Sequence, residues 1–330
     1  MNPLVFHTSG QAFAQAALIR ALAARMPIRV MESHNGMRDE LKQLDPRAII
    51  VSGWRKPVEW RCICAAHSLG IPIFLRGEAT SLDLPRGCKR AILRRLCASA
   101  EAVLSIGTRC TEYYRAIGVP LEKIFLAPYA VNNDYFMRES ARYGSAQAQI
   151  LDRLGLDPGK PTILFVGKLI PRKRPNEVAK IAARLREQGQ PCNVLFVGAG
   201  PMAKELRGNK DTVVTGWVRH EDISQYCAAA DVFVFPSSFE TWGLVVNEAM
   251  CFGLPVVSCP TVSSTRDLVE YGHNGYVCSP GAEMVAKVGR LLQDRGLRRS
   301  MGARSREKIM GWGLEHGAEG VMRAIGGITE

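Results

Sequence analysis

The sequence lacks any segment that predicts a membrane-spanning helix. Its longest uncharged stretch, residues 249–265, is interrupted by Gly253, Pro255 and Pro260. That stretch falls short of the roughly 20 apolar residues that a helix needs to cross a bilayer. The N-terminal residues also lack the basic segment and long apolar run of a secretory signal. We therefore predict a cytoplasmic protein and leave peripheral contact with the inner face of the membrane open.

Several signatures of functional sites are missing as well. The ten cysteines contain no Cys-x-x-Cys pair and lie mostly in apolar stretches, so we predict buried free thiols rather than disulfides or a zinc site. The six histidines are dispersed, and no Ser-His-Asp set or close pair of catalytic acids stands out. No cluster of metal ligands is recognisable either, so we predict no metal site.

The chain is long and basic. Its 330 residues, 47% of them hydrophobic, are enough for two cores of about 150 residues each. A formal charge of +12 indicates a surface that attracts anions, which leaves phosphates, nucleic acid and acidic membrane headgroups as partners. No repeat of fixed period and no low-complexity tract is present, which argues against a solenoid or a disordered tail.

Short apolar, β-branched runs alternate with amphipathic helical stretches along the whole chain. This alternation predicts α/β architecture, with two Rossmann-like doubly wound domains in series. The predicted strands are residues 4–7, 28–32, 48–52, 71–75, 102–106, 123–127, 162–166, 193–197, 212–215, 232–235, 255–258 and 275–277.

A mixed segment interrupts this alternation before residue 161. We predict a first domain over residues 1–140, a linker over residues 141–160 and a second domain over residues 161–330. We also predict a last helix, about residues 297–325, which can cross back onto the first domain. Open α/β sheets bind ligands at the carboxyl ends of their strands, so we expect the site in a cleft between the domains.

The strongest candidate site lies in residues 230–258. A buried strand leads there into a loop and then into a helix that begins at Gly243. A glycine allows a sharp turn into the helix, and the first backbone amides of a helix attract anions. The amides of Gly243, Leu244 and Val245 therefore predict a binding site for a pyrophosphate group.

Two glutamates flank the start of this helix. Glu248 lies five residues after Gly243, where its carboxylate can accept hydrogen bonds from two vicinal ribose hydroxyls. Glu240, on the preceding loop, can accept hydrogen bonds from the hydroxyls of a sugar. For an isolated pair of glutamates a chance arrangement on a solvated surface is the better interpretation, so the assignment depends on the surrounding segment.

That segment resembles the signature of retaining glycosyltransferase family 4, which has the GT-B fold and belongs to the glycosyl transferases group 1. The family's pattern is Glu-x7-Glu, then an alanine-rich helix and a Gly-x-Pro-Val-Val strand. The resemblance implies two domains that face each other across a cleft, with the donor in the second domain and the acceptor in the first. It implies transfer of a sugar from a nucleotide-diphosphate sugar to a glycan, lipid-linked or small-molecule hydroxyl. Retention of anomeric configuration, without a metal or other cofactor, belongs to the same expectation.

A basic loop follows the strand at residues 162–166. Lys168 and Lys173 lie five residues apart in it, where cations can neutralise a diphosphate leaving group. A basic loop by itself is more often a solvated surface. This loop resembles the family's Gly-Arg/Lys-Leu…Lys element, whose two basic residues bind the donor phosphates. Lys168 stands where arginine is more usual, which keeps the charge but loses the bidentate geometry of a guanidinium.

The turn after the strand at residues 193–197 leaves a different enzyme class open. Gly198-Ala-Gly200-Pro-Met-Ala matches a dinucleotide-binding fingerprint, which would suit an NAD-dependent oxidoreductase. The context disfavours that alternative, because the following helix is short and no acidic residue ends the next strand to bind a ribose. The resemblance instead places these residues near the base of the donor: Gly198, Gly216, Trp217 and Val218.

The first domain carries weaker signals. Its first loop has one glycine, Gly10, where the family usually has two, and Gly10 is predicted to allow close approach of the donor. Arg76 and Glu78 follow a strand end where many relatives place a histidine near the reacting sugar. We predict that both contact donor or acceptor, with an Arg–Glu pair that only holds the loop as the alternative. These departures also leave a non-catalytic partner subunit open.

Residues 86–95 predict a basic amphipathic helix with no acidic side chain. Such a helix can lie on anionic lipid, as in family relatives that glycosylate lipid-linked acceptors, although a solvated helix is the alternative. The charge also permits a nucleic-acid acceptor, but aromatic and basic residues do not interleave into a recognisable motif. The basic residues of this predicted helix are Arg86, Lys89, Arg90, Arg94 and Arg95.

The predicted catalytic residues of the chain are Glu240, Lys168, Lys173, Arg76 and Glu78.

Overall fold

The structure is a computed structural model that describes residues 2–8, 12–32, 36–208 and 211–327. Its contacts divide the chain into two compact units. Unit 1 consists of Met1–Val131 and Trp312–Glu330, and unit 2 consists of Asn132–Gly311. The predicted linker lay at residues 141–160, whereas the chain enters unit 2 after Val131 and returns to unit 1 at Trp312.

The strands agree closely with the prediction. They are β1 (Leu4–Thr8), β2 (Ile28–Glu32), β3 (Ala48–Val51), β4 (Ile73–Leu75), β5 (Ala102–Ser105), β6 (Ile124–Leu126), β7 (Thr162–Val166), β8 (Asn193–Val197), β9 (Thr212–Val214), β10 (Val232–Phe235), β11 (Val256–Ser258) and β12 (Gly275–Val277). Among the described residues they form two six-stranded parallel sheets, ordered β2-β1-β3-β4-β5-β6 and β12-β11-β10-β7-β8-β9. The predicted α/β class with two doubly wound sheets is confirmed.

Helices cover these sheets. In the described ranges they are α1 (Ala12–Ala23), α2 (Met37–Leu44), α3 (Pro57–Ser68), α4 (Gly87–Ser99), α5 (Thr108–Ile117), α6 (Asn133–Tyr143), α7 (Gln147–Arg153), α8 (Pro175–Glu187), α9 (Ala203–Leu206), α10 (Ile223–Ala228), α11 (Leu244–Cys251), α12 (Thr265–Leu268), α13 (Ala282–Gln293), α14 (Arg295–Met310) and α15 (Leu314–Gly326). No helix in the described part of the chain is both long enough and apolar enough to cross a membrane.

The C-terminal helix α15 packs in unit 1 against α1, β5 and β6. Gly320 permits this approach, because a Cβ atom there would overlap the carbonyl oxygen of Leu126. Ala318 and Val321 are buried in the same core. The single helical pattern expected over residues 297–325 is wrong in one respect: residues 311–313 separate α14 from α15. Glycines at 311 and 313 explain the break, since glycine has low helix propensity.

The sheet of unit 2 is covered on both faces, and β7, β8 and β10 are buried throughout. Parallel strands in this environment are apolar along their whole length, which is why the sequence pattern locates them. The residues predicted as a linker contain the end of α6 and all of α7. Ile150 and Leu151 of α7 are buried, and α7 contacts α10 in unit 2. The linker prediction missed these apolar positions in an otherwise polar segment.

The strand order of unit 2 reverses at β7. From β7 the chain adds β8 and β9 on one side, and then β10, β11 and β12 on the other. Open parallel sheets bind ligands beyond the carboxyl ends of the strands that flank such a reversal. The loop after β7 carries Lys168 and Lys173, and the loop after β10 carries Glu240. The topology of unit 2 therefore brings the predicted donor-site loops to one edge.

All ten cysteines are free. Eight of them are buried, but Cys64 and Cys88 are exposed, so the prediction of buried thiols is wrong at these two positions. Cys64 lies at an exposed position of α3, and Cys88 lies at an exposed position in the basic first turn of α4.

Candidate functional site

The basic loop after β7 is held against the turn after β8. The backbone N–H of Leu169 donates to the carbonyl of Ala199 at 2.9 Å. A Cβ atom on Gly198 would overlap the carbonyl oxygen of Gly167, and one on Gly200 would overlap that of Leu169. The two glycines of the dinucleotide-like turn therefore allow two backbone segments to pack closely. The helix that follows, α9, has only four residues and offers a dinucleotide no full helical N-terminus.

Lys173 and Glu240 form an ion pair at the carboxyl edge of the sheet in unit 2. Both side chains are largely buried. The ammonium of Lys173 also lies 4.9 Å from the ring centre of Phe235, at the end of β10, in a cation–π arrangement. The structure thus brings together two predicted donor-site residues. Phe235 was not among the predicted residues, although its sequence position, an aromatic side chain at the end of a buried strand, could have indicated it.

Opposing influences act on the Lys173 ammonium. Burial lowers the pKa of Lys173, because the charged form loses hydration. The charge and hydrogen bond of Glu240 act in the opposite direction, whereas the positive charges of Arg172 and Lys168 lower the pKa further. Arg172 and Lys168 are themselves exposed. With Arg174, four basic residues lie on the loop between β7 and α8, an arrangement that suits a polyanionic ligand.

The loop that carries Glu240 is fixed from two sides. The carbonyl of Arg172 accepts a hydrogen bond from the backbone N–H of Ser238 at 2.8 Å. The N–H of Glu240 donates to the carbonyl of Thr261 at 3.0 Å, and its carbonyl accepts from the N–H of Ser263 at 3.1 Å. These backbone bonds position Glu240 independently of its ion pair with the lysine.

Helix α11 begins directly after Gly243, as the sequence indicates. Gly243 has φ +93° and ψ 68°, in the left-handed region. A Cβ atom there would lie 3.2 Å from Cγ of Glu240 and 3.3 Å from Cε1 of Phe235. The backbone conformation therefore favours glycine, and a Cβ atom would also press on these neighbouring side chains. The first amides of a helix have no partner within it, and Leu244 and Val245 supply amides of this kind at α11.

Glu248 is buried on α11 and paired with a histidine. Its Oε1 lies 2.8 Å from Nε2 of His220, whereas its Oε2 is buried without a hydrogen-bond partner among the described residues. Burial lowers the pKa of His220, but the hydrogen bond to Glu248 and the charges of Glu248 and Glu221 outweigh burial and raise it overall. His220 was not among the residues predicted from the sequence. Its signal was proximity to Val218, at the strand edge assigned to the donor base.

The predicted base-binding residues follow β8 and β9. Gly198 and Gly216 are paired in an antiparallel bridge, so these two glycines are neighbours. Trp217 is 77% exposed, and Val218 is half-buried. An exposed indole offers an aromatic face on which a base can stack. The structure therefore places all four residues at the edge of unit 2 formed by β8 and β9.

In unit 1, Arg76 and Glu78 both contact Tyr129. Arg76 is only 2% exposed, its Nη1 donates to the carbonyl of Ala127 at 2.8 Å, and its guanidinium lies 5.0 Å from the Tyr129 ring centre. The Tyr129 hydroxyl donates to Oε1 of Glu78 at 2.9 Å. Burial lowers the pKa of Arg76. These contacts hold the loop after β4, which agrees better with the loop-holding alternative for Arg76.

The predicted donor contact Gly10 lies outside the described residues.

The basic helix α4 presents its charges to solvent. All five predicted basic residues are exposed, and so are Ile92 and Leu84. Leu93 and Leu96 lie on the buried face of the helix. The exposed surface therefore combines positive charge with apolar side chains.

The described ranges contain no group of three or more His, Cys, Asp or Glu side chains arranged to hold a metal ion.

The whole chain is similar in structure to a solved sugar-nucleotide complex. The similarity to the crystal structure of Anabaena Alr3699/HepE in complex with UDP and glucose covers 99% of this chain and 100% of that one, with a TM-score of 0.78 and 16% sequence identity. At that identity the likeness shows the fold alone. The class is that of α/β proteins with the GT-B fold, as the resemblance predicted.

Residues 147–308 match the family model described as glycosyl transferases group 1. This match, over just under half of the chain, agrees with the resemblance to the group 1 glycosyltransferases. The chain is 31% identical over 218 residues to alpha-D-kanosaminyltransferase of Streptomyces kanamyceticus. This aligned region covers 63% of this chain and 55% of that protein. It is 32% identical over 293 residues to D-inositol 3-phosphate glycosyltransferase of Nocardia farcinica. That aligned region covers 82% of this chain and 63% of the relative. The chain spans less than two thirds of the length of either relative.

Proposed function

We propose that the chain transfers a sugar from a nucleotide-diphosphate sugar to a hydroxyl group. The observation that carries this proposal is the contact between Lys173 and Glu240. Lys173 can bind a donor phosphate, and Glu240 can accept hydrogen bonds from sugar hydroxyls. Because the two side chains touch, a phosphate and a sugar bound to them would be neighbours, as they are in a nucleotide-diphosphate sugar.

The other donor contacts lie on the same unit. The helix-start amides of Gly243, Leu244 and Val245 are proposed to bind the diphosphate, and Glu248 is proposed to bind the ribose. The base would lie against Gly198, Gly216, Trp217 and Val218. The group 1 relatives support this assignment, and so does the similar Anabaena structure, which was solved with UDP and glucose.

The proposed chemistry is leaving-group stabilisation. Lys168, Lys173 and the α11 amides would stabilise the departing diphosphate, in place of a metal ion. The acceptor hydroxyl would attack from the face that the diphosphate leaves, which retains the anomeric configuration. Metal independence and retention both come from the family resemblance and belong to this proposal.

The proposed acceptor is a glycan, lipid-linked or small-molecule hydroxyl. A lipid-linked acceptor is favoured by helix α4 and the residues just before it, where five basic side chains are exposed together with Ile92 on the helix and Leu84 ahead of it. Apolar side chains surrounded by cations bind an anionic bilayer surface through insertion and charge together. We therefore include peripheral binding to an anionic membrane in the proposal. A nucleic-acid acceptor has no comparable support.

A thermal-shift panel tests the donor assignment. A ligand that binds the folded state raises the melting temperature, so UDP-, GDP-, ADP- and CMP-sugars are compared with NAD. We expect one nucleotide-sugar to stabilise the protein and NAD to have no effect. Stabilisation by NAD alone would favour the oxidoreductase alternative. Release of sugar from the stabilising donor by the isolated chain then argues against a non-catalytic subunit.

A further inference from the structure

The pairing of His220 with Glu248 joins two parts of unit 2 that are 28 residues apart. His220 begins the 3-10 helix His220–Asp222 beyond β9, whereas Glu248 lies in the middle of α11. The glutamate side chain is 4% exposed and the histidine side chain is 36% exposed. The histidine is therefore the outer member of the pair and the glutamate the inner one.

One oxygen of the Glu248 carboxylate is left without a hydrogen-bond partner. Oε1 is held by Nε2 of His220 at 2.8 Å, while Oε2 is buried and unpartnered among the described residues. Burying an ionisable oxygen without a hydrogen bond is costly, so proteins seldom retain one unless a ligand or another group uses it. A carboxylate oxygen accepts hydrogen bonds and therefore requires a donor such as a hydroxyl.

His220 is itself fixed by aromatic packing. Its ring forms a T-shaped pair with the ring of Phe136, at a centroid distance of 5.6 Å and an interplanar angle of 87°. Phe136 is buried and packs in turn against Phe252 at 6.5 Å. This packing supports the imidazole in the position from which Nε2 reaches Oε1 of Glu248. A rigid partner of this kind restricts the rotation of the carboxylate.

We infer that His220 is a positioning residue of the ribose subsite. It holds Oε1 of Glu248, so that Oε2 stays oriented to accept a hydrogen bond from a ribose hydroxyl. The inference rests on the proposed function, since it assumes that Glu248 meets the nucleotide. If so, the preference for ribose over a sugar without the 2′ and 3′ hydroxyls depends on His220, although His220 contacts the carboxylate rather than the ligand.

A pair of amide substitutions tests this role. His220→Gln keeps an N–H donor at about the position of Nε2, whereas the shorter side chain of His220→Asn does not reach Glu248. Exposed His273, in the turn before β12, gives the control His273→Asn. Dissociation constants are measured by calorimetry for UDP and 2′,3′-dideoxy-UDP, with GDP and 2′,3′-dideoxy-GDP in parallel.

The readout is the ratio of the two dissociation constants for one base. We expect the wild-type protein to bind the ribonucleotide at least about tenfold more tightly than its dideoxy form, the size expected for hydrogen bonds to a charged group. The ratio should persist in His220→Gln and in the control, and fall below about threefold in His220→Asn. A merely structural role would weaken both ligands equally and leave the ratio unchanged.

Two results would overturn the inference. An undiminished ratio in folded His220→Asn would show that His220 does not orient Glu248. A wild-type protein that binds UDP or GDP without preferring the ribose form would show that Glu248 does not bind the ribose hydroxyls. By contrast, a wild-type protein that no nucleotide-sugar of the thermal-shift panel stabilises contradicts the proposed function itself, which separates the two failures.

Discussion

The ammonium of Lys173 contacts the carboxylate of Glu240 at the edge of the unit 2 sheet, although the two residues are 67 positions apart in the chain. The contact follows from topology. Lys173 follows β7 and Glu240 follows β10, and these strands are neighbours on the two sides of the point where the strand order reverses. A cation for phosphate and an acceptor for sugar hydroxyls are therefore side by side.

Replacing Lys173 by alanine should abolish sugar transfer while the protein remains folded. The variant loses a preorganised positive charge at the leaving group, a kind of loss that typically lowers kcat by about 10²–10³-fold. Turnover of the donor identified by thermal shift is measured at saturating substrate. Lys180→Ala, an exposed lysine on α8, serves as the control and should retain activity. Near-normal turnover of the Lys173 variant would remove the donor-site assignment.

Glu248→Ala should abolish transfer and weaken binding of the nucleoside diphosphate. The carboxylate is proposed to accept hydrogen bonds from ribose, and a hydrogen bond to a charged group contributes about 1.5–3 kcal/mol. Calorimetric titration and turnover are measured together. Glu187→Ala, at the exposed end of α8, is the matched control. Unchanged nucleotide affinity in the Glu248 variant would show that this carboxylate pairs with His220 but does not bind the nucleotide.

Gly243→Ala should destabilise the protein and impair donor binding. A positive φ disfavours alanine by about 1 kcal/mol, and the added Cβ would also press on Glu240 and Phe235. Gly189→Ala separates these effects, because Gly189 has φ +74° with no heavy atom within 4 Å of a Cβ. We expect the Gly243 variant to lose more stability in urea denaturation and to lose donor binding, while the Gly189 variant keeps donor binding. Equal losses would mean that crowding at the helix start is unimportant.

The stability contributed by His220 should decline as the pH rises. Its folded-state pKa is raised by Glu248 and Glu221 above the ordinary value of 6.5. A raised pKa adds stability that is fully present below the unfolded pKa and is lost as the pH passes the folded pKa. The stability difference between wild type and His220→Gln should therefore be larger at pH 6 than at pH 8.5 in urea denaturation. A difference that grows with pH would contradict the charged pair.

Reversal of charge on helix α4 should reduce binding to anionic vesicles. Lys89→Glu with Arg95→Glu changes the net charge by four units and introduces acids beside Ile92. Sedimentation with vesicles of phosphatidylglycerol and phosphatidylcholine measures binding. Arg295→Glu with Arg299→Glu on α14 makes the same change in net charge elsewhere. If both double variants lose binding equally, net charge rather than the α4 surface attracts the protein.

The sequence was sufficient to locate every strand, because buried parallel strands are apolar along their whole length and turns separate them. It was less informative about boundaries between units. The polar segment at residues 141–160 contains α7, whose buried Ile150 and Leu151 are too few to give a clear helical pattern. For Arg76 the sequence left both a substrate contact and a loop-holding role open, and only the structure shows that its guanidinium is buried against Tyr129.

The sequence by itself determined the α/β class, the helix start at Gly243, and the resemblance of residues 147–308 to the group 1 glycosyltransferases, since these depend on local pattern and spacing. The tertiary structure decided which side chains touch. Lys173 meets Glu240, and Glu248 meets His220, because strands distant in the chain end at the same edge of the sheet. Local periodicity contains no information about such contacts. The fold creates them when it sets the order in which strands lie side by side.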